Sequence, residues 1–211
     1  MWSDLRRSKY CLRILQEAYI QPIIEEKTVR YEVKQGKDVP EPPKMARGAK
    51  FMCIICGEAA TPEYIKNEAL SGRMNAVLIA VVAEGRNGRQ YLSPSEIHVA
   101  AAMTEKPSDY PDGSMPTNPR WFTPPQYGFT DYSQLFTNRQ LTALVTFSEL
   151  LNSVTQQIIA DGGSIEYAKA INVYLAFAVD RSADFSTSVS RWSVSNEKAM
   201  NANQESKRQR E

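Results

Sequence analysis

Cys53-Ile54-Ile55-Cys56-Gly57 is the stretch of this chain best spaced for chemistry. Two thiolates on one tight turn, with a glycine just beyond, have the spacing of half a zinc ribbon. A closed tetrahedral site needs four ligands, and the only other soft candidates are Cys11 and His98, neither in a second knuckle. Zinc at Cys53 and Cys56 is therefore a candidate, and two ordinary thiols are the plainer reading. A redox pair is the poorer alternative, because the motif does not open a helix.

The single histidine, His98, falls inside an expected helix beside an alanine run, with no nucleophile or orienting acid near it in sequence. No Ser/His/Asp or Cys/His set emerges, so no catalytic residue is assigned. Gly85-x-x-Gly88 and Gly162-Gly163 lack the strand–turn–helix setting of a nucleotide fingerprint; a hairpin and a helix cap explain them. Basic residues gather in the first half at Arg47, Lys50, Arg73, Arg86 and Arg89, with Lys44 and Lys66 nearby. They outnumber the glutamates interleaved with them, a surplus that suits contact with a few DNA phosphates or simply a mixed surface.

The elements that would hold these residues divide the chain in two. Residues 17–105 read as strand-rich, 106–126 as a proline-rich connector, and 127–195 as a hairpin of helices. Residues 1–16 form an atypical extension, and 196–211 a polar tail with little to bury. In the first half, Thr28–Lys34 alternates as a half-buried strand, and Phe51–Ile55 is a short apolar one. Thr61-Pro62 opens a short helix to about Leu70, with threonine as cap and proline in the first turn. Asn75–Glu84 is the strongest strand candidate, returning through a glycine turn as Arg89–Leu92. Ser93-Pro94-Ser95-Glu96 has the pattern of a capping box, starting a helix to about Met103.

In the second half, Thr137-Asn138-Arg139-Gln140 is another capping box. Leu144, Phe147, Leu151, Val154 and Ile158 then recur on one helical face until Asp161-Gly162-Gly163 ends it. The next helix runs to about Asp184, with Ala168, Ile171, Leu175, Ala178 and Val179 inward. A connection this short pairs the two helices antiparallel. The expected class is α+β, a small, mostly antiparallel sheet with short helices followed by the helical hairpin.

Bulk properties agree with a folded protein: 42% hydrophobic and 9% aromatic residues fit neither a disordered nor a fibrous chain. With 25 basic against 24 acidic residues, the charge excludes a strongly basic nucleic-acid binder but leaves room for a local patch. No apolar run reaches membrane-spanning length, and the N-terminus has no apolar core of a secretory signal. An odd number of cysteines makes no disulfide framework, so the expectation is a reduced, cytoplasmic setting without a membrane partner.

The order of further landmarks carries a resemblance. They run from Glu17-Ala18-Tyr19-Ile20-Gln21-Pro22 and Lys27-Thr28-Val29-Arg30-Tyr31-Glu32-Val33 through Gly72-Arg73-Met74 and Val82-Ala83-Glu84-Gly85 to Gly88-Arg89-Gln90-Tyr91-Leu92. The helical half adds Leu135-Phe136-Thr137-Asn138-Arg139-Gln140-Leu141, Tyr174-Leu175-Ala176-Phe177-Ala178 and Arg191-Trp192. In this order, residues 17–198 resemble an internal stretch of the zinc-ribbon-containing, anti-phage-associated adenine-specific DNA methylases. No single piece is specific; the co-linear order is the signal. Residues 1–16 and 199–211 depart from it, as a disrupted gene would.

The resemblance implies a parent enzyme that uses S-adenosylmethionine. Such an enzyme needs a glycine-rich cofactor turn and an Asp/Asn-Pro-Pro-aromatic loop that grips a flipped-out adenine. In the family these lie on either side of the matched segment. The nearest sequence here, Thr123-Pro124-Pro125-Gln126-Tyr127, lacks the acceptor and displaces the aromatic by one place. The implied role is a fragment from between cofactor and catalytic motifs, inactive alone. It would position DNA through Arg47, Lys50, Arg73, Arg86 and Arg89. The alternative is a structural or protein-interaction segment that buttresses the remaining domains of the methylase without touching DNA.

Overall fold

Hairpins and capped helices, with no central sheet among the described residues, organise this chain. The computed structural model describes residues 18–45, 50–86, 88–117, 123–193 and 196–200. The class is α+β. The strands of the described residues pair as four separate two-stranded antiparallel sheets. Chain contacts divide the molecule into two compact units. One comprises Met1–Ala102, Pro116–Phe129 and Val194–Glu197, the other Met103–Met115, Thr130–Ser193 and Lys198–Glu211.

In the first unit, β1 (Ala18–Glu25) pairs with β2 (Thr28–Gln35) from Ala18↔Gln35 to Glu25↔Thr28. Pro22 is tolerated because a two-stranded sheet has only edge strands, where a missing N–H need break no ladder. Glu26 turns the corner at φ 54, in the left-handed region, and the Thr28 hydroxyl donates to the Glu25 carbonyl at 2.8 Å. β3 (Phe51–Met52) and β4 (Ala59–Ala60) flank the cysteine turn, so the expected strand Phe51–Ile55 stops after Met52. α1 (Pro62–Leu70) starts as expected, with the Thr61 hydroxyl accepting from the Tyr64 N–H.

The apolar run from Asn75 forms a strand only in its second part. β5 (Val81–Gly85) meets β6 (Gly88–Leu92) in a register that ends at Val81↔Leu92. Beyond Leu92 comes Pro94, which has no N–H to extend the ladder, so residues 75–80 find no partner strand. The capping box expected at Ser93 also fails. Ser93 Oγ instead accepts the Val33 N–H at 2.9 Å, and α2 begins later, as Glu96–Ala102. Ser95 occupies the position before it, with its hydroxyl 3.0 Å from His98 Nδ1.

The connector is less irregular than its prolines suggest. Pro124–Tyr127 forms a 3-10 turn closed by Gly128 at φ 79. An ideal Cβ on Gly128 would lie 2.6 Å from the Ala69 carbonyl oxygen, so only glycine allows the turn to approach the end of α1 this closely.

The second unit is built on α3 (Asn138–Ala160) and α4 (Ile165–Phe185), the expected hairpin of helices. The Thr137 and Gln140 side chains complete a reciprocal capping box at the head of α3, and the Ser164 hydroxyl accepts from the Tyr167 N–H at the head of α4. Before them, a 3-10 turn at Tyr132–Leu135 is fixed by Gln134, whose Oε1 accepts the Asp131 N–H at 3.0 Å. After them, β7 (Arg191–Ser193) pairs with β8 (Lys198–Met200). The expected frayed tail is therefore corrected at its start: Trp192 opposite Ala199 gives those residues a ladder partner. The rest of that tail, 201–211, lies outside the described residues.

The core is thin. Among the described residues, the buried hydrophobic side chains are Ala18, Tyr19, Ala69, Met115, Leu141 and Ala168. Of the inward positions expected on the helices, Leu144, Leu151, Val154, Ile158, Ile171 and Val179 are half-buried, while Phe147, Leu175 and Ala178 are exposed. No helix of the described residues is long and apolar enough to cross a membrane.

Candidate functional site

The cysteine turn is a well-made knuckle in the first unit. The Cys53 N–H donates to the Glu58 carbonyl at 2.7 Å, and the Gly57 N–H donates back to the Cys53 carbonyl at 2.9 Å. Gly57 takes φ +75, which lets the chain fold back beneath the sulfurs. The backbone N–H groups of Cys56 and then Ile55 point at the Cys53 sulfur, with the Cys56 thiol adding a further donor. Together they hold the Cys53 thiol below its ordinary range, against the opposing charge of Glu58. Both thiols are free, Cys53 half-buried and Cys56 exposed. No cluster of three or more metal-ligating side chains occurs among the described residues. Cys11 lies outside them, and His98 is engaged with Ser95.

The five basic residues meet different fates. Arg47 lies outside the described residues. Arg73 forks onto Glu68 through two hydrogen bonds of 2.6 and 2.7 Å. That bidentate pair raises the guanidinium pKa and lowers the carboxyl of Glu68. Arg89 faces Glu84, its directly opposed partner across β5 and β6, with Nε 3.8 Å from the carboxylate. Lys50 and Arg86 are exposed and have no carboxylate partner among the described residues. Arg86 sits at the turn between β5 and β6.

The near-match to a catalytic loop is structural in its contacts. Gln126 Oε1 accepts from Lys66 Nζ at 2.6 Å, and the same ammonium lies 5.7 Å from the centre of the Tyr127 ring. Gln126 and Tyr127 thus tie the 3-10 turn onto α1, where a base-gripping loop would need its aromatic face open.

The second unit has a small cleft of about 210 Å³ between the head of α3 and the tail of α4. Arg139, Gln140, Leu144, Phe147, Ser182 and Ser186 are among the residues that line it. Its walls carry no acid or base positioned for proton transfer.

The long helices offer more apolar face than the fragment covers, as the protein-interaction alternative expects, and the excess falls on the outer side of α4. Val173 is 54% exposed, Tyr174 73% and Phe177 65%, although the opposite side of the same helix packs on α3 through Ala168 and Asn172. A helix apolar on all sides belongs in an interior. The signal was present in Ile171-Asn172-Val173-Tyr174-Leu175-Ala176-Phe177-Ala178-Val179, which is apolar at almost every position and not only at helical spacing.

No family model, curated protein or solved structure matches this chain.

Proposed function

We propose that this chain is a non-catalytic assembly segment of a DNA adenine methyltransferase, and that it docks on other protein through α4. The observation that carries the docking is the uncovered stripe of Val173, Tyr174 and Phe177. Burying side chains of this size stabilises a complex by about 1.5–3 kcal/mol each. The parentage rests on the co-linear order of motifs in the sequence. In this reading S-adenosylmethionine and the target adenine are held by other domains of a cytoplasmic enzyme.

Two measurements test this. The purified chain should transfer no labelled methyl group from S-adenosylmethionine to DNA; transfer would end the non-catalytic reading. It should also bind a fluorescent apolar dye, and Phe177→Ser with Val173→Ser should remove most of that signal. Dye binding unchanged by both substitutions would end the docking reading.

A second reading, DNA positioning, is favoured by the exposed cations Arg86 and Lys50. Each phosphate contact they make would contribute about 0.9 to the slope of log affinity against log salt. Removing Arg86 should flatten the slope by about that amount. Removing Arg73 should change it little, because Glu68 already occupies its fork. No DNA binding even at low salt would exclude this reading.

A further inference from the structure

We propose that the outer face of α4 is a self-docking surface, on which a second copy of this chain packs with its own α4 running antiparallel. This rests on the docking role of α4 proposed above and goes on to name the occupant.

The argument is the distribution of charge around the apolar stripe. Glu166 stands at the N-terminal end of α4 and Arg181 near its C-terminal end, both exposed. Between them lie Ala170, Val173, Tyr174 and Phe177, without a charge on the stripe itself. If two such helices lie antiparallel with their two-fold axis between Val173 and Tyr174, Glu166 of each falls opposite Arg181 of the other. The same register brings Lys169 close to Asp180 of the second copy. Those two residues sit about three turns apart on the same flank of the helix, as a two-fold arrangement requires.

A parallel pair would instead set Glu166 against Glu166 and Arg181 against Arg181. The pattern is therefore self-complementary in one orientation only. Arg181 already reaches Asp184 at 2.7 Å and stacks over Phe185 at 4.7 Å, so its guanidinium is held at the end of the stripe.

The size of the face sets the strength. A stable dimer buries about 800 Å² per partner, and an aromatic side chain brings about 150–250 Å². Tyr174 and Phe177, with Tyr167 at the edge, supply less than that standard area. An interface below the standard size belongs with weak, reversible association.

The test is sedimentation of the full chain together with two charge variants. Wild type should dimerise reversibly, and Phe177→Asp, at an exposed site and with its fold checked by circular dichroism, should be monomeric. Glu166→Arg alone and Arg181→Glu alone should each dimerise about tenfold more weakly, since like charges then oppose each other twice per dimer. Mixed in equal amounts, the two variants should recover wild-type affinity, because every opposed pair is again Arg with Glu. A dimer indifferent to both charge variants would overturn the antiparallel register. A wild-type monomer that still binds apolar dye, with the dye lost in Phe177→Asp, would overturn the second copy as occupant while leaving the docking role intact. A monomer whose dye binding is unchanged in Phe177→Asp would overturn both.

Discussion

Asn172 of α4 donates from its Nδ2 to the Thr155 hydroxyl of α3 at 3.0 Å, a bond that crosses between the two helices. The other side-chain atom, Asn172 Oδ1, is buried and accepts no hydrogen bond from the described residues. A polar pair at one level of a helical seam fixes register, because sliding either helix would bury both groups unmatched.

The cost of breaking this pair should be asymmetric. Thr155→Val leaves the Asn172 amide without its acceptor and should destabilise the second unit by about 1–3 kcal/mol. Asn172→Leu should cost less, since a threonine hydroxyl can turn to a carbonyl of its own helix. The double variant should fall near wild type in urea unfolding. Additive losses would show that the two residues do not act as a pair.

Glycines at positive φ should differ in cost according to what surrounds them. Gly72 has φ +71 and open space, so Gly72→Ala should cost about 1–2 kcal/mol, the backbone penalty alone. Gly128 has φ +79, and a Cβ added there would lie 2.6 Å from the Ala69 carbonyl oxygen. Gly128→Ala should cost about 3 kcal/mol or more, because the turn must also lift off α1. Equal midpoints in thermal melts of the two variants would contradict this.

The knuckle predicts a pH dependence. Donors aimed at the Cys53 sulfur favour its thiolate, so alkylation of Cys53 should reach half its maximal rate below the ordinary thiol value of about 8.5. The sign for stability follows from the depressed folded pKa. The contribution is fully present above the unfolded thiol's pKa and lost as pH falls through the folded one. Gly57→Val, which strains the turn at φ +75, should move the reactivity of Cys53 back up. A Cys53 that titrates at or above the ordinary value would mean the N–H groups do not hold it.

The helices were legible in the sequence because their signals are local. Thr61 and Thr137 each satisfy a backbone N–H a few residues on, and those bonds form as the patterns suggest. Strands need a second segment in register, and that is where the reading ran out. Pro22 and the adjacent Ile23 and Ile24 hide the alternation of β1. Residues 75–80 have strand composition, yet β6 is too short to pair with them. Ser93 has the spacing of a cap but spends its hydroxyl on Val33, a choice made by the meeting of two hairpins and invisible in local sequence. The candidate site divided in the same way. The Cys53–Cys56 turn was readable from spacing, whereas the pairing of Arg73 with Glu68 and the exposure of Tyr174 depend on which faces the fold leaves open.

The central claim, that a second copy of this chain covers the outer face of α4, is tested most directly by the reactivity of Tyr174. This residue is 73% exposed on α4, and Tyr64, 57% exposed on α1, serves as the control. Nitration followed by peptide mass analysis would be measured as the chain is concentrated. Tyr174 should become progressively protected while Tyr64 reacts at a constant rate. Constant reactivity of Tyr174 across the whole range, matching Tyr64, would contradict the claim.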